Sequence, residues 1–181
     1  MNDRKAKSGA PIRAAGGVVV RGGDEPLIAV VQLRKSGDWV LPKGKLNRKE
    51  TAIAAARREV LEEVGHTVQV HDFLGTISYD VRDRPKVVQF WSMRADDGPP
   101  GRLMRDVKAV RWLRFEEAIA KLTHPREQEF LRSVGPDAIK AAERPAAADA
   151  GALIAAVSRP ASLIGKLRAW WRRTFPGRRA A

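Results

Sequence analysis

From Gly44 to Gly65 the chain carries a pattern that leaves little freedom in how it folds: one short helix with an apolar and an acidic face, bounded by glycines. At about 100° per residue, a helix over Ala52–Val64 puts Glu59, Glu62 and Glu63 within an arc of roughly 100°. Ile53, Ala56, Val60 and Val64 fill the neighbouring arc. The helix therefore buries an apolar stripe and holds three carboxylates at its margin. Thr51 is placed to cap its start and Gly65 to follow its end. Like charges this close repel, and a helix built for stability alone would intersperse lysine among them. A divalent cation removes the conflict, and hard carboxylate oxygens suit Mg2+, with Mn2+ as the substitute.

Spelled out, the pattern is glycine, five residues, glutamate, seven residues, then Arg-Glu, an aliphatic residue, any residue, Glu-Glu, any residue and glycine. Here it reads Gly44, Glu50, Arg58, Glu59, Val60, Leu61, Glu62, Glu63, Val64 and Gly65. This resembles the Nudix box, so the chain is similar to the Nudix hydrolase superfamily over roughly residues 12–135. One departure is His66, where that family usually has an aliphatic residue, a change that bears on packing at the helix exit. The run LPKGKL at the start of the box is similar to diadenosine and diphosphoinositol polyphosphate phosphohydrolases and to some MutT-like proteins. The resemblance implies an α/β fold, specifically an α/β/α sandwich with a mixed sheet. It also implies Glu59 and Glu63 as first metal ligands, Glu62 next, and a backbone carbonyl near Gly44. One box glutamate, or an acid from a later loop, would serve as general base. The later candidates are Asp96, Asp97, Glu127 and Glu129, each otherwise a solvated surface acid. Arg58 would orient the carboxylates, and Glu50 is a structural acceptor.

A phosphoanhydride joins two anionic groups, so positive side chains are needed near the metal. Lys43 and Lys45 flank Gly44, and Arg34 with Lys35 precedes them in a strand loop; these four are the candidate phosphate contacts. Arg82, Arg84 and Lys86 lie in a later hairpin and rank below them. The expected function is a metal-dependent pyrophosphohydrolase acting on a nucleoside or inositol polyphosphate, with dinucleoside polyphosphates and diphosphoinositol polyphosphates favoured. A MutT-like nucleoside triphosphate hydrolase and a non-catalytic nucleotide sensor are the alternatives. Tyr79 and Trp91 are read as core strand aromatics, with base stacking as the functional alternative. His66, His71 and His124 show no metal-site spacing.

Apolar β-rich runs at 14–20, 27–33, 39–41, 68–81, 86–95 and 107–113 predict strands, with Gly75 as a bulge and 80–85 as a hairpin loop. Residues 115–122 and 125–134 read as short helices. Four segments follow: a frayed start over 1–13, a domain over 14–135, an Ala/Pro-rich linker over 136–160 and a basic amphipathic tail over 161–181. With no cysteine, the chain has no disulfide, thiolate metal site or cysteine nucleophile. That usage fits a reducing cytoplasm. No run approaches the ~20 apolar residues of a membrane span.

The net charge is +13, and residues 136–181 carry nine basic and three acidic side chains. Such bias points to a polyanion: a polyphosphate substrate, nucleic acid, or an anionic membrane surface. Leu163, Leu167, Trp170, Trp171 and Phe175 alternate with Lys166, Arg168, Arg172 and Arg173 near helical spacing. That pattern suits peripheral membrane contact, or docking on the chain's own domain or a second subunit of a homodimer.

Overall fold

The computed structural model describes residues 10–144. The first nine residues, the linker beyond residue 144 and the basic tail with its expected membrane contact lie outside the described residues.

The run Ala14–Val20 lacks polar alternation, the mark of a strand covered on both faces. It forms β1 (Ile12–Arg21), the centre of the sheet. Val18 and Val20 point into one core cluster, while Ala15 and Val19 point into the other. The neighbouring strands are β2 (Leu27–Leu33), β3 (Trp39–Val40), β4 (Lys43–Lys45), β5 (Val68–Val81), β6 (Arg84–Ala95) and β7 (Val107–Leu113). β1 pairs with β6 in parallel and with β2 and β4 antiparallel, so the sheet is mixed. β3 and β7 extend it from β2, and β5 from β6.

β1 meets β2 only at Val20 and Arg21, and β4 takes the vacated edge at Ala14–Gly16. This handover seats the Gly44 segment inside the sheet. Gly16 makes it possible, because a Cβ there would collide with the Pro42 carbonyl and Lys43.

Helix α1 (Ala52–Val64) covers one face through Ala55, Ala56, Val60 and Val64. Helices α2 (Phe115–Lys121) and α3 (Pro125–Ala142) cover the other through Ala118, Ile119, Leu131, Ala138 and Ala142. The architecture is the expected α/β/α sandwich. Thr51 Oγ1 accepts the Ala54 N–H at 3.2 Å, and Gly65 ends α1 at φ 80°. Beyond it, His66 is buried edge-on against Trp112, with Nε2 3.0 Å from an Arg21 nitrogen.

Several expectations are corrected. Ile53 is 36% exposed, and Ala55 takes its place in the buried stripe. β1 begins at Ile12 rather than Ala14, because β6 pairs with it from Ile12↔Lys86 onward. The hairpin 80–85 tightens to the turn Arg82-Asp83, both at positive φ, between Val81 and Arg84. That geometry matches the right-handed twist of the flanking strands.

The largest correction concerns α3, which continues to Ala142 through Pro136 and absorbs the first residues assigned to the linker. An interior proline costs about 3 kcal/mol. Offsetting it, Leu131, Gly135, Ala138, Ala141 and Ala142 are buried, and small side chains let the helix approach the sheet. Ser92 Oγ donates to the Ala138 carbonyl at 3.0 Å, fixing that approach. Among the described residues, no helix is long and apolar enough to cross a membrane.

Candidate active site

The site is built where β4 passes beneath α1. Gly17 N–H donates to the Pro42 carbonyl at 3.2 Å, so the chain turns into β4 with its backbone against β1. Over Gly44 lies the Glu59 carboxylate, in the space a Cβ would occupy. Any other residue at 44 would displace it. One helical turn on, Glu63 Oε2 accepts the Lys43 N–H at 2.9 Å. Glu59 and Glu63 are 7% and 8% exposed. They belong to the buried face of α1 rather than to its margin. Glu62 is the outer member, its side chain 34% exposed.

Arg58 organises this group. Nε and Nη2 grip the two Glu50 oxygens, both at 2.9 Å; Nη1 donates to Glu59 Oε1 at 2.8 Å and to Glu62 Oε2 at 3.2 Å. Nη2 also reaches the Lys45 carbonyl at 3.1 Å. A planar guanidinium is the side chain able to serve five acceptors on three sides. Its charge is held more firmly than usual, first by the bond to Glu50. Glu50 in turn is lowered to about 2, chiefly by Arg58 and then by the Asn47 N–H. Glu50 thus anchors the guanidinium that positions Glu59 and Glu62.

Burial pushes Glu63 up to about 7, opposed by the Lys43 N–H and the Lys43 charge. An acid so placed holds a proton where a cation would compete for the same oxygens. Among the described residues, no three acids or histidines already converge on a common point. Glu59 and Glu62 lean on Arg58, and Glu63 on the Lys43 N–H. The donor set still fits a hard divalent ion: all its members are oxygens, two are nearly buried, and Gly44 leaves Glu59 room beside the backbone.

The four cations expected at the substrate diverge. Lys45 is exposed beside Arg58. Lys43 turns inward instead: Nζ lies 3.1 Å from Glu127 Oε1 and donates to the Leu41 carbonyl at 3.1 Å. Only its backbone N–H faces the carboxylates. Arg34 commits its guanidinium to the Arg105 and Val107 carbonyls at 2.9 and 3.1 Å, tying the turn after β2 to the start of β7. Lys35 is exposed in that turn.

The later acids also separate. Asp96 lies past the end of β6 and accepts the Thr67 hydroxyl, Asp97 is exposed, and Glu129 pairs with Arg132 at 2.8 Å on the surface. Glu127 is different. It is 1% exposed, pairs with Lys43, and accepts the Leu41 N–H at 2.8 Å. Its expected role as a solvated acid is corrected, because α3 delivers it beneath the Gly44 segment.

Lys86 ranks low by its position in the sequence, and Arg126 carries no signal there. Lys86 is half-buried beside the charges of Lys45, Glu127, Glu63 and Arg126. Lys86 and Arg126 both lie against the Tyr79 ring, the Arg126 guanidinium 3.9 Å and the Lys86 ammonium 5.6 Å from its centroid. Trp91 is core, edge-on to Phe73.

A family model for the NUDIX domain matches residues 11–134. The chain is 34% identical over 142 residues to an 8-oxo-(d)GTP phosphatase of Mycolicibacterium smegmatis, covering 72% of this chain and 43% of that protein. Over 85 residues it is 33% identical to the asymmetrical bis(5'-nucleosyl)-tetraphosphatase of Mus musculus, covering 44% of this chain and 58% of that one. The chain thus spans about half the length of these relatives. The fold matches a C. elegans Ap4A hydrolase binary complex with a TM-score of 0.62 at 23% identity, over 70% of this chain and 96% of that one.

Proposed function

The chain belongs to the Nudix family, and from that premise we propose that it is a metal-dependent pyrophosphohydrolase cleaving a phosphoanhydride bond in a nucleoside polyphosphate. The observation that carries this reading is the pair of buried carboxylates, Glu59 and Glu63, held against a segment where Gly44 has no side chain. The relatives named as an 8-oxo-(d)GTP phosphatase and a bis(5'-nucleosyl)-tetraphosphatase support nucleoside triphosphates and dinucleoside tetraphosphates as the substrates to try first. Diphosphoinositol polyphosphates remain in the panel.

Glu59, Glu63 and the more exposed Glu62 would hold Mg2+, with the backbone beside Gly44 completing the set. When bound, such an ion acidifies water and neutralises phosphate oxygens. The protein's own contribution is arrangement. Arg58 fixes Glu59 and Glu62 while Glu50 fixes Arg58, so the carboxylates keep their places as substrate arrives. The Lys43 N–H aims Glu63, and the Lys43–Glu127 pair braces the segment that carries that N–H. Lys45, exposed at the rim, supplies positive charge to phosphate oxygens.

The test is hydrolysis of nucleoside triphosphates (oxidised guanosine forms included), dinucleoside tetraphosphates, diphosphoinositol phosphates and a dinucleoside diphosphate, with Mg2+ and with EDTA. Glu63→Gln should lower kcat/KM by roughly a hundredfold or more, in line with losing a group that acts on the reacting centre, without lowering thermal stability. Equal rates in EDTA, or an unaffected Glu63→Gln, would refute the proposal. Tight binding of one compound with no turnover of any would make the chain a sensor.

A further inference from the structure

The last turn of α1, which carries Glu62 and Glu63, is held from outside the helix. A helix ends with carbonyls that its own residues cannot answer. The Gly65 N–H takes the Leu61 carbonyl at 3.0 Å, but the Glu62 carbonyl accepts the Met104 N–H at 2.7 Å and the Gly65 carbonyl the Gly101 N–H at 2.6 Å. Both of these donors belong to the loop over 96–106, between β6 and β7. The approach is close: a Cβ at Gly65 would lie 2.9 Å from the Gly101 carbonyl and 3.2 Å from a Leu103 methyl.

Little burial fixes that loop. Between residues 101 and 106 Leu103 is half-buried and the others are exposed. Its end is fixed by Arg34, whose backbone N–H donates to the Asp106 carbonyl at 2.7 Å, Nε to that of Arg105 at 2.9 Å and Nη2 to that of Val107 at 3.1 Å. One residue thus gathers three successive carbonyls. The Val107 N–H then closes the turn on the Met104 carbonyl at 3.1 Å. The planar fork of a guanidinium reaches two carbonyls at fixed directions, whereas a lysine ammonium is a single point charge on a flexible stem.

We propose that Arg34 is a positioning residue of the carboxylate site. By holding residues 105–107 it keeps the Met104 N–H on the Glu62 carbonyl, and so sets how the backbone presents Glu62 and Glu63 to a cation. The inference rests on the metal-dependent hydrolase reading for its catalytic consequence, while the hold on α1 is testable without turnover.

The first measurement is amide hydrogen exchange in the full chain without metal. In Arg34→Ala and Arg34→Lys the Met104 and Gly101 amides should exchange roughly three- to tenfold faster than in wild type, the net contribution of one hydrogen bond. The second is Mn2+ binding, read from the paramagnetic resonance of the free ion and competed with Mg2+. Both variants should weaken it about three- to tenfold, up to the lower end of what an outer partner of a metal ligand contributes. Met104→Pro, which removes the N–H itself, should do the same, and adding Arg34→Ala to it should cost little more. At saturating Mg2+ the KM of Arg34→Ala should match that of wild type, since the residue adds no substrate binding.

A lowered Tm with wild-type Mn2+ affinity makes Arg34 a stabilising residue only and overturns the inference. Wild-type behaviour of Arg34→Lys also overturns it, because charge alone would then matter, as does a raised KM at saturating Mg2+, the mark of a phosphate contact. If Met104→Pro fails to fold, the two Arg34 variants decide. Metal binding that depends on Arg34 in a protein that hydrolyses nothing refutes the hydrolase reading and leaves the inference standing. A wild type that binds no Mn2+ overturns both.

Discussion

Replacing Glu127 by alanine should unfold this domain at a markedly lower temperature, although the residue lies on a helix remote in sequence from the box. Its Oε1 is 3.1 Å from Lys43 Nζ, its Oε2 accepts the Leu41 N–H at 2.8 Å, and the two side chains are only 8% and 2% exposed. Truncation leaves a buried ammonium without counter-charge and a buried N–H without an acceptor. Breaking one side of a buried pair costs about 3–5 kcal/mol, and an orphaned N–H about 1–3 kcal/mol. The Leu41 carbonyl still accepts from Lys43, and water entering the vacated volume recovers part of the loss. A net destabilisation of about 3–5 kcal/mol follows, or roughly 10–20 °C in Tm for a domain of this size.

The assay is urea and thermal unfolding, followed by circular dichroism, of wild type, Glu127→Ala, Glu127→Leu, Lys43→Met and the double variant Lys43→Met/Glu127→Leu. Because the double variant buries no unpaired charge, it should recover most of the stability, and the cycle should show strong coupling. A loss below about 1 kcal/mol in Glu127→Ala, the value of an exposed pair, would refute the reasoning. So would a double variant no more stable than the single one.

Gly44→Ala should fold and yet lose roughly a hundredfold in kcat/KM, since its Cβ takes the place of the Glu59 carboxylate and a shift of about 1 Å at a reacting centre has that effect; steady-state kinetics beside a Tm measurement separates the two. For Glu63 the sign runs opposite to that of an ordinary surface acid. Its folded pKa, about 7, lies above the ordinary glutamate value of 4.5, so between those values the folded state binds more protons and stability falls as pH rises. In EDTA, wild type should therefore lose on the order of 2–3 kcal/mol between pH 5 and pH 8 relative to Glu63→Gln, with Mg2+ restoring it. Parallel denaturation curves for the two proteins across that range would refute the assignment.

What was legible in the chain is what depends on near neighbours. The extent of α1, the cap at Thr51, the left-handed exit at Gly65 and the carboxylates on one helical arc follow from spacing within a few turns, where backbone geometry allows little else. The apolar β-rich runs likewise marked β1 and β2 as strands. Glu50 was readable as an acceptor because it precedes a helix that carries Arg58 two turns later.

Tertiary structure decided which charges meet. Lys43 and Lys45 are two apart on one strand and look equivalent in sequence, yet the ammonium of Lys43 is buried on Glu127 while Lys45 is exposed. Nothing local distinguishes them; the difference lies in what α3 places underneath. That helix runs through Pro136 only because its small residues pack against β6, a gain invisible to a reading that stops helices at proline. Glu127, Lys86 and Arg126 come beside the box across separations of more than 20 residues. They do so through strand register and helix docking, which set the direction of each side chain and depend on the whole packed core rather than on any stretch of the chain.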